Sequence, residues 1–163
     1  LQAAGLIERV AVIDCDVHQG NGTADIAADD PSIYTFSMHG EKNFPFRKVA
    51  GDLDIGLRTG TGDQEYLETL EIAVERILYL FQPQLVIYQS GADPYVGDRL
   101  GKLSLTKAGL AARDHLVIGM CRTQSLPVAV SMGGGYAEQV DDIVDIHLQT
   151  VCVAAEFAHS SSG

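Results

Sequence analysis

Residues 10–22 read VAVIDCDVHQGNG. The run over 10–14 is dominated by Val, Ala and Ile, reads as a buried strand, and stops abruptly in polar residues and glycine. Side chains of an extended chain alternate between faces. A backbone that stays extended through this exit therefore sends Asp14, Asp16 and His18 to one side, and Cys15 and Val17 to the other. Two carboxylates and an imidazole converging at a strand end can hold a divalent cation. Gly20 and Gly22 let the chain turn tightly beside it. Taken alone, the same residues also describe a polar turn with one satisfied histidine, so the decision passes to the rest of the chain.

Outward from that stretch, residues 1–8 form a short lead-in, the end of a helix. A short helix over 23–28 is stopped by Asp29, Asp30 and Pro31. Residues 32–38, rich in β-branched and aromatic side chains, form a second strand. Residues 39–51 are irregular, and 52–57 alternate as a half-exposed strand. The clearest helix starts with Thr61 and Gln64 in capping-box spacing. It carries Leu67, Leu70, Val74, Ile77 and Phe81 on one stripe, and Pro83 ends it. Residues 85–89 are apolar on both faces, as in a central parallel strand. A helix over 103–120, capped by Ser104 or Thr106, places Ala108, Ala112, Leu116 and Met120 inward. Residues 127–131 make another buried strand. The last helix, 137–157, turns Val140, Val144, Leu148 and Val151 inward. Strands alternating with helices at this spacing predict βαβ units, hence one α/β domain with a mostly parallel sheet and flanking helices.

The chain has 163 residues, with 22 acidic against 11 basic and a formal charge of −11. That balance argues against a nucleic-acid partner, whose footprint is a basic patch. It mildly favours cationic substrates. Cys15, Cys121 and Cys152 lack metal-type spacing and, being odd in number among apolar neighbours, read as reduced thiols of a cytoplasmic protein. No apolar run approaches the roughly 18 residues that span a bilayer, so no membrane partner is expected. The chain begins at Leu1, and residues 158–163 (AHSSSG) look like an appended tail outside the domain.

Three segments leave a strand into polar, glycine-rich sequence: residues 14–18 (DCDVH), residues 90–94 (SGADP) with Asp98 beyond, and residues 133–136 (GGGY). In open parallel sheets such exits face one crevice at the carboxyl ends of the strands. Asp93 then joins Asp16 and His18 as a third ligand, leaving a fourth position open on a zinc ion, as in catalytic rather than structural sites. The two carboxylates balance the charge of the metal. Such an ion activates water and polarises a carbonyl. Three glycines make room for substrate, and the Tyr136 phenol suits a developing oxyanion.

The segments DCDVHQGNG, SGADPYVGDRLGKLSLT and MGGGY resemble the active-site segments of the zinc-dependent histone deacetylase family. That family has the arginase–deacetylase fold and includes bacterial acetoin-utilisation and acetylpolyamine amidohydrolase members. The likeness runs from Val10 to about Phe157, and residues 19–22 are worded most like the class IV branch and its bacterial relatives. It implies Asp16, His18 and Asp93 as zinc ligands and Tyr136 as the oxyanion-stabilising tyrosine. It implies Phe44 as an aromatic wall of an acyl-lysine tunnel and Gly134 beside its floor. It also implies a structural K+ site, formed by the Asp14 side chain with backbone oxygens of Asp16, His18, Ser37 and Met38. His39 neighbours that site without being a ligand. Asn21 stands where many members carry an Asp that orients an active-site histidine, and an amide cannot supply that charge. The family's paired histidines lie upstream of the first zinc motif, and no His-His occurs here. The resemblance thus implies that residues 1–157 are the carboxy-terminal part of the domain.

The expected activity is hydrolysis of N-acetyl amides, on acetyl-lysine or acetylpolyamine, in the complete domain but not in this chain alone. The uncovered surface of such a part would favour self-association. Two other readings stay open. One is a non-catalytic module that keeps the metal loops without a base. The other is a phosphatase of the haloacid-dehalogenase type, which also opens with a strand and Asp-x-Asp; it needs an acidic pair at strand ends, whereas Asp141-Asp142 falls in an amphipathic helix.

Overall fold

The computed structural model describes residues 1–159. Its strands are β1 (Val10–Asp14), β2 (Ile33–Gly40), β3 (Leu53–Leu57), β4 (Leu85–Gly91) and β5 (Val128–Gly133). Its helices are α1 (Asn21–Ala27), α2 (Asp63–Leu80), α3 (Lys107–Thr123) and α4 (Val140–His159), preceded by a single 3-10 turn at Gln2–Ala4. Every strand pairing is parallel, in the order β3-β2-β1-β4-β5. The chain is thus an α/β domain of the expected parallel type. Of the tail, Ala158 and His159 continue α4, and residues 160–163 lie outside the described residues.

The connections leave β1 toward β2 but leave β4 toward β5, so the direction of winding reverses between β1 and β4. Right-handed crossovers then place the helices of the two halves on opposite faces. Accordingly α1 packs by β2, while α2, α3 and α4 pack side by side. The three-helix side holds the core: Ala11, Ile13, Phe36, Met38, Val86 and Tyr88 from the sheet meet Leu70, Val74, Ile77, Leu110 and Val117. The other side has only α1, which leaves Ile26 and Ile87 exposed. For that reason β4 is not covered on both faces. β5, at the edge, is half-exposed rather than buried.

The helices differ from expectation in three places. α2 is capped at Gly62, one residue after Thr61, so no capping box forms; the Thr61 hydroxyl is buried without a partner. Asp63 instead accepts hydrogen bonds from the amide (2.9 Å) and hydroxyl (2.7 Å) of Thr106, which caps α3. In α3 the buried face is Leu110, Arg113, Asp114, Val117 and Cys121, with Ala108 exposed and Leu116 and Met120 only partly covered. Two charged residues on the inner face hide it from an apolar count. In α4 the stripe expected inward points outward: Val140, Val144, Leu148 and Val151 are between 51% and 68% exposed. Ile146, Thr150 and Val153 are buried in their place. Both faces of α4 are apolar, so periodicity alone cannot choose between them. No helix among the described residues is long and apolar enough to cross a membrane.

Candidate metal centre

In doubly wound sheets ligands bind at the point where the winding reverses, beyond the carboxyl ends of the strands. Here that point lies between β1 and β4, and the chain leaving each carries the candidate ligands. Alternation persists past β1: Cys15 and Val17 are buried in the core while Asp14, Asp16 and His18 lie partly open on the other side. Asp93, two residues beyond β4, is fully buried. One donor atom from each of Asp16, His18 and Asp93 falls within 4.8 Å of the others. His18 Nδ1 is the hub, 3.1 Å from Asp16 Oδ1 and 3.1 Å from Asp93 Oδ2. Backbone amides fix both carboxylates: His18 N–H donates to Asp16 Oδ1 (2.8 Å) and Val17 N–H to Asp93 Oδ1 (2.9 Å).

The third exit closes over this group. Gly134 has φ +61°, and a Cβ there would collide with the Asp93 carboxylate and come within 2.8 Å of Asp16 Oδ2. Glycine is required on both counts. Tyr136, 45% exposed, is positioned through its backbone: its N–H donates to Asp98 Oδ2 (2.6 Å), and its carbonyl accepts from Arg99 Nε (2.9 Å). Asp98 Oδ1 also accepts from the amides of Leu100 and Gly101. Asp98 and Arg99 thus fasten the β4 exit to the β5 exit. Sequence reading noticed Asp98 without a role; the glycine three residues on, typical of an aspartate-bonded turn, was the available signal.

The electrostatics follow from the crowding of carboxylates. Hydrogen bonds to Asp16 and then Asp93 raise His18 to about 10, so the ring carries a proton at neutral pH. Burial raises Asp93, and raises Asp14 to about 7 with the charges of Asp16 and Asp93 adding to it. A divalent ion of the zinc type fits the same donor set of two carboxylate oxygens and one imidazole nitrogen. Binding through Nδ1 must expel that proton, because only neutral imidazole ligates. Zinc affinity is therefore expected to rise about tenfold per pH unit between pH 6 and 8, with at least one proton released per ion. Calorimetric titration in buffers of different ionisation enthalpy checks this; proton-neutral binding would remove His18 from the ligand set.

The remaining sequence-predicted residues take their places around this centre. Asp14, the last residue of β1, pairs in register with Ser37 of β2, and its Oδ1 accepts from the Asp16 amide (3.0 Å). Met38 follows in β2. His39 extends that strand, buried, its Nδ1 3.0 Å from Ser37 Oγ, and burial with nearby Lys48 lowers its pKa. Phe44 is exposed against Phe46, and its carbonyl accepts from the Gln19 amide (3.3 Å). Asn21 opens α1, and its side chain bonds to no histidine among the described residues. His115 and His147 lie in α3 and α4, away from the group. Asp142 is ion-paired with Lys107 (2.7 Å), so the acidic pair that a dehalogenase-type phosphatase needs does not reach the strand ends.

The chain is thus an α/β protein whose parallel sheet carries an Asp-His-Asp group at its reversal point. The family model described as "Histone deacetylase domain" matches residues 1–151. The chain belongs to that family. It is 48% identical over 147 residues to an uncharacterized protein of Picosynechococcus sp., covering 90% of this chain and 49% of that protein. It is 38% identical over 133 residues to histone deacetylase 2 of Arabidopsis thaliana, covering 80% of this chain and 34% of the relative. The chain therefore spans about half, or less, of the length of these relatives. Among solved structures, the acetylpolyamine aminohydrolase of Burkholderia pseudomallei superposes with a TM-score of 0.80 at 23% identity, over 93% of this chain and 46% of that one. At that identity the likeness concerns the fold.

Proposed function

We propose that this chain is the carboxy-terminal, metal-binding part of a zinc-dependent deacetylase acting on N-acetylated cationic amines, acetyl-lysine or acetylpolyamine. The observation that carries the reading is the meeting of Asp16, His18 and Asp93 at the reversal point of a histone deacetylase domain. A zinc ion held by Asp16, His18 and Asp93 would supply Lewis acidity toward the acetyl carbonyl and would activate a water at neutral pH. Asp93, buried, supplies a fixed carboxylate, and Gly134 keeps the space beside it open. Tyr136, held at the rim by Asp98, donates its phenol proton to the carbonyl oxygen as negative charge grows there. Asp14, with backbone oxygens of Asp16 and His18 beyond β1 and of Ser37 and Met38 in β2, would hold K+ and stiffen the metal loop. Phe44 forms one side of the acyl channel. The acidic charge of the chain favours a cationic amine.

The base belongs to the part of the relatives that this chain does not span, so the chain by itself is proposed to be inactive and self-associating. Exposed Val140, Val144, Leu148 and Val151 on α4, and Ile26 and Ile87 on the sparsely covered sheet face, support self-association. The test of the reading uses the complete domain, this chain joined to the upstream half. There Tyr136→Phe should lower kcat about 10²- to 10³-fold with KM nearly unchanged, because the phenol acts only as the oxyanion develops. Equal losses in substrate binding and turnover would show that Tyr136 holds substrate rather than the oxyanion.

A further inference from the structure

We propose that Arg113 is a positioning residue for the metal centre: its guanidinium clamps the backbone carbonyls of Cys15, just past β1, and Gly91, the last residue of β4, and so sets the separation of Asp16 and His18 from Asp93. The inference rests on the metal-binding reading above. Arg113 lies on the inner face of α3 and is fully buried. Its Nη1 donates to Gly91 O at 2.6 Å and reaches Cys15 O at 3.5 Å. Cys15 directly precedes Asp16, and Gly91 lies two residues before Asp93. One nitrogen thus spans the seam from which both metal-bearing segments emerge.

That seam has no slack. A Cβ on Gly91 would come within 2.7 Å of the Asp16 Cα, and Val17 N–H is committed to Asp93 across it. The guanidinium is itself held from behind. Its Nε donates to Asp114 Oδ1 (3.0 Å), which also accepts from the Tyr88 hydroxyl (2.6 Å). Asp114 Oδ2 accepts from Thr150 Oγ1 of α4 (2.6 Å). The chain of contacts therefore runs from α4 through α3 to the two strand ends. A buried ion pair is an inefficient way to stabilise a core, since apolar residues of similar volume often do as well or better. What apolar residues cannot do is bond two carbonyls on neighbouring strands. Lysine keeps the charge but lacks the planar fork, so it cannot hold Asp114 and both carbonyls in one geometry.

The experiment is titration of this chain with Co2+, whose visible absorption reports ligand geometry. The unmodified chain should bind one equivalent. Arg113→Lys should bind about 10- to 100-fold more weakly, the usual loss when an outer-shell partner is removed, with an altered absorption band. Asp114→Asn, which keeps the shape but frees the guanidinium, should shift affinity in the same direction and serves if Arg113→Lys fails to fold. Val74→Ala, a core truncation in α2 remote from both exits, lowers stability and should leave Co2+ affinity and spectrum unchanged. Unchanged Co2+ affinity and spectrum in a folded Arg113→Lys or Asp114→Asn overturns the positioning role while leaving the metal centre intact. Losses matched by Val74→Ala reduce Arg113 to general stability and overturn it too. No Co2+ binding by the unmodified chain overturns the metal reading itself.

Discussion

Asp93→Ala is expected to abolish stoichiometric zinc binding by this chain. Among the described residues Asp93 is the only candidate ligand from the segment that leaves β4, and it is fully buried. Its loss leaves Asp16 and His18, a pair from one segment with no counterpart across the reversal point. The effect should exceed the 10- to 100-fold that follows loss of an outer-shell partner, because a direct ligand and its charge both disappear. Alanine also strands the Val17 amide that Asp93 Oδ1 accepts. Asp93→Asn separates the two effects: it can still accept from that amide but carries no charge, and it too should lose zinc. Metal analysis after gel filtration, with far-UV circular dichroism to verify folding, reads the result. About one equivalent retained in both variants would reject the ligand assignment.

Residues 1–163 alone are expected to release no measurable acetate from acetyl-lysine peptides or acetylpolyamines, whereas the complete domain turns over. General acid–base catalysis contributes roughly 10²- to 10⁴-fold in rate, and among the described residues no further histidine joins His18 at the metal centre. His18 is spent on the carboxylates, and His39 is buried against Ser37. Under the proposed reading positioning is lost as well, since Phe44, proposed to wall the acyl channel, stands 62% exposed in this chain. The two losses multiply. Zinc-dependent turnover by the chain alone would identify a base within it, with His39 the first residue to substitute.

The sequence carried the site better than it carried the packing. The strand exits were legible because Asp, His and Gly are costly at the ends of buried strands unless they serve a purpose, and alternation fixed their side. Asp16, His18 and Asp93 meet as the pattern over residues 14–18 and 90–94 predicts. Helix faces were less legible wherever polarity and burial part company. Arg113 and Asp114 are buried as a pair, so α3 appeared rotated. α4 is apolar on both sides, and the inward face is chosen by the fit of Thr150 to Asp114 and of Val153 to the core, which no periodicity encodes. The Thr61–Gln64 spacing imitated a capping box because nothing local reveals that the helix waits one residue, for Gly62. The role of Asp98 and the part of Arg99 were not legible for a similar reason: their partner, Tyr136, is some 37 residues away in sequence.

If a metal ion held by these residues drives amide hydrolysis, acetate release from an acetyl-lysine peptide by the complete domain should follow the metal as it is removed and returned. Turnover should vanish on dialysis against a chelator and recover with one equivalent of zinc per chain, and Asp93→Asn should not recover at all. Acetate release that persists in the metal-free protein, or that zinc restores equally in Asp93→Asn, would contradict it.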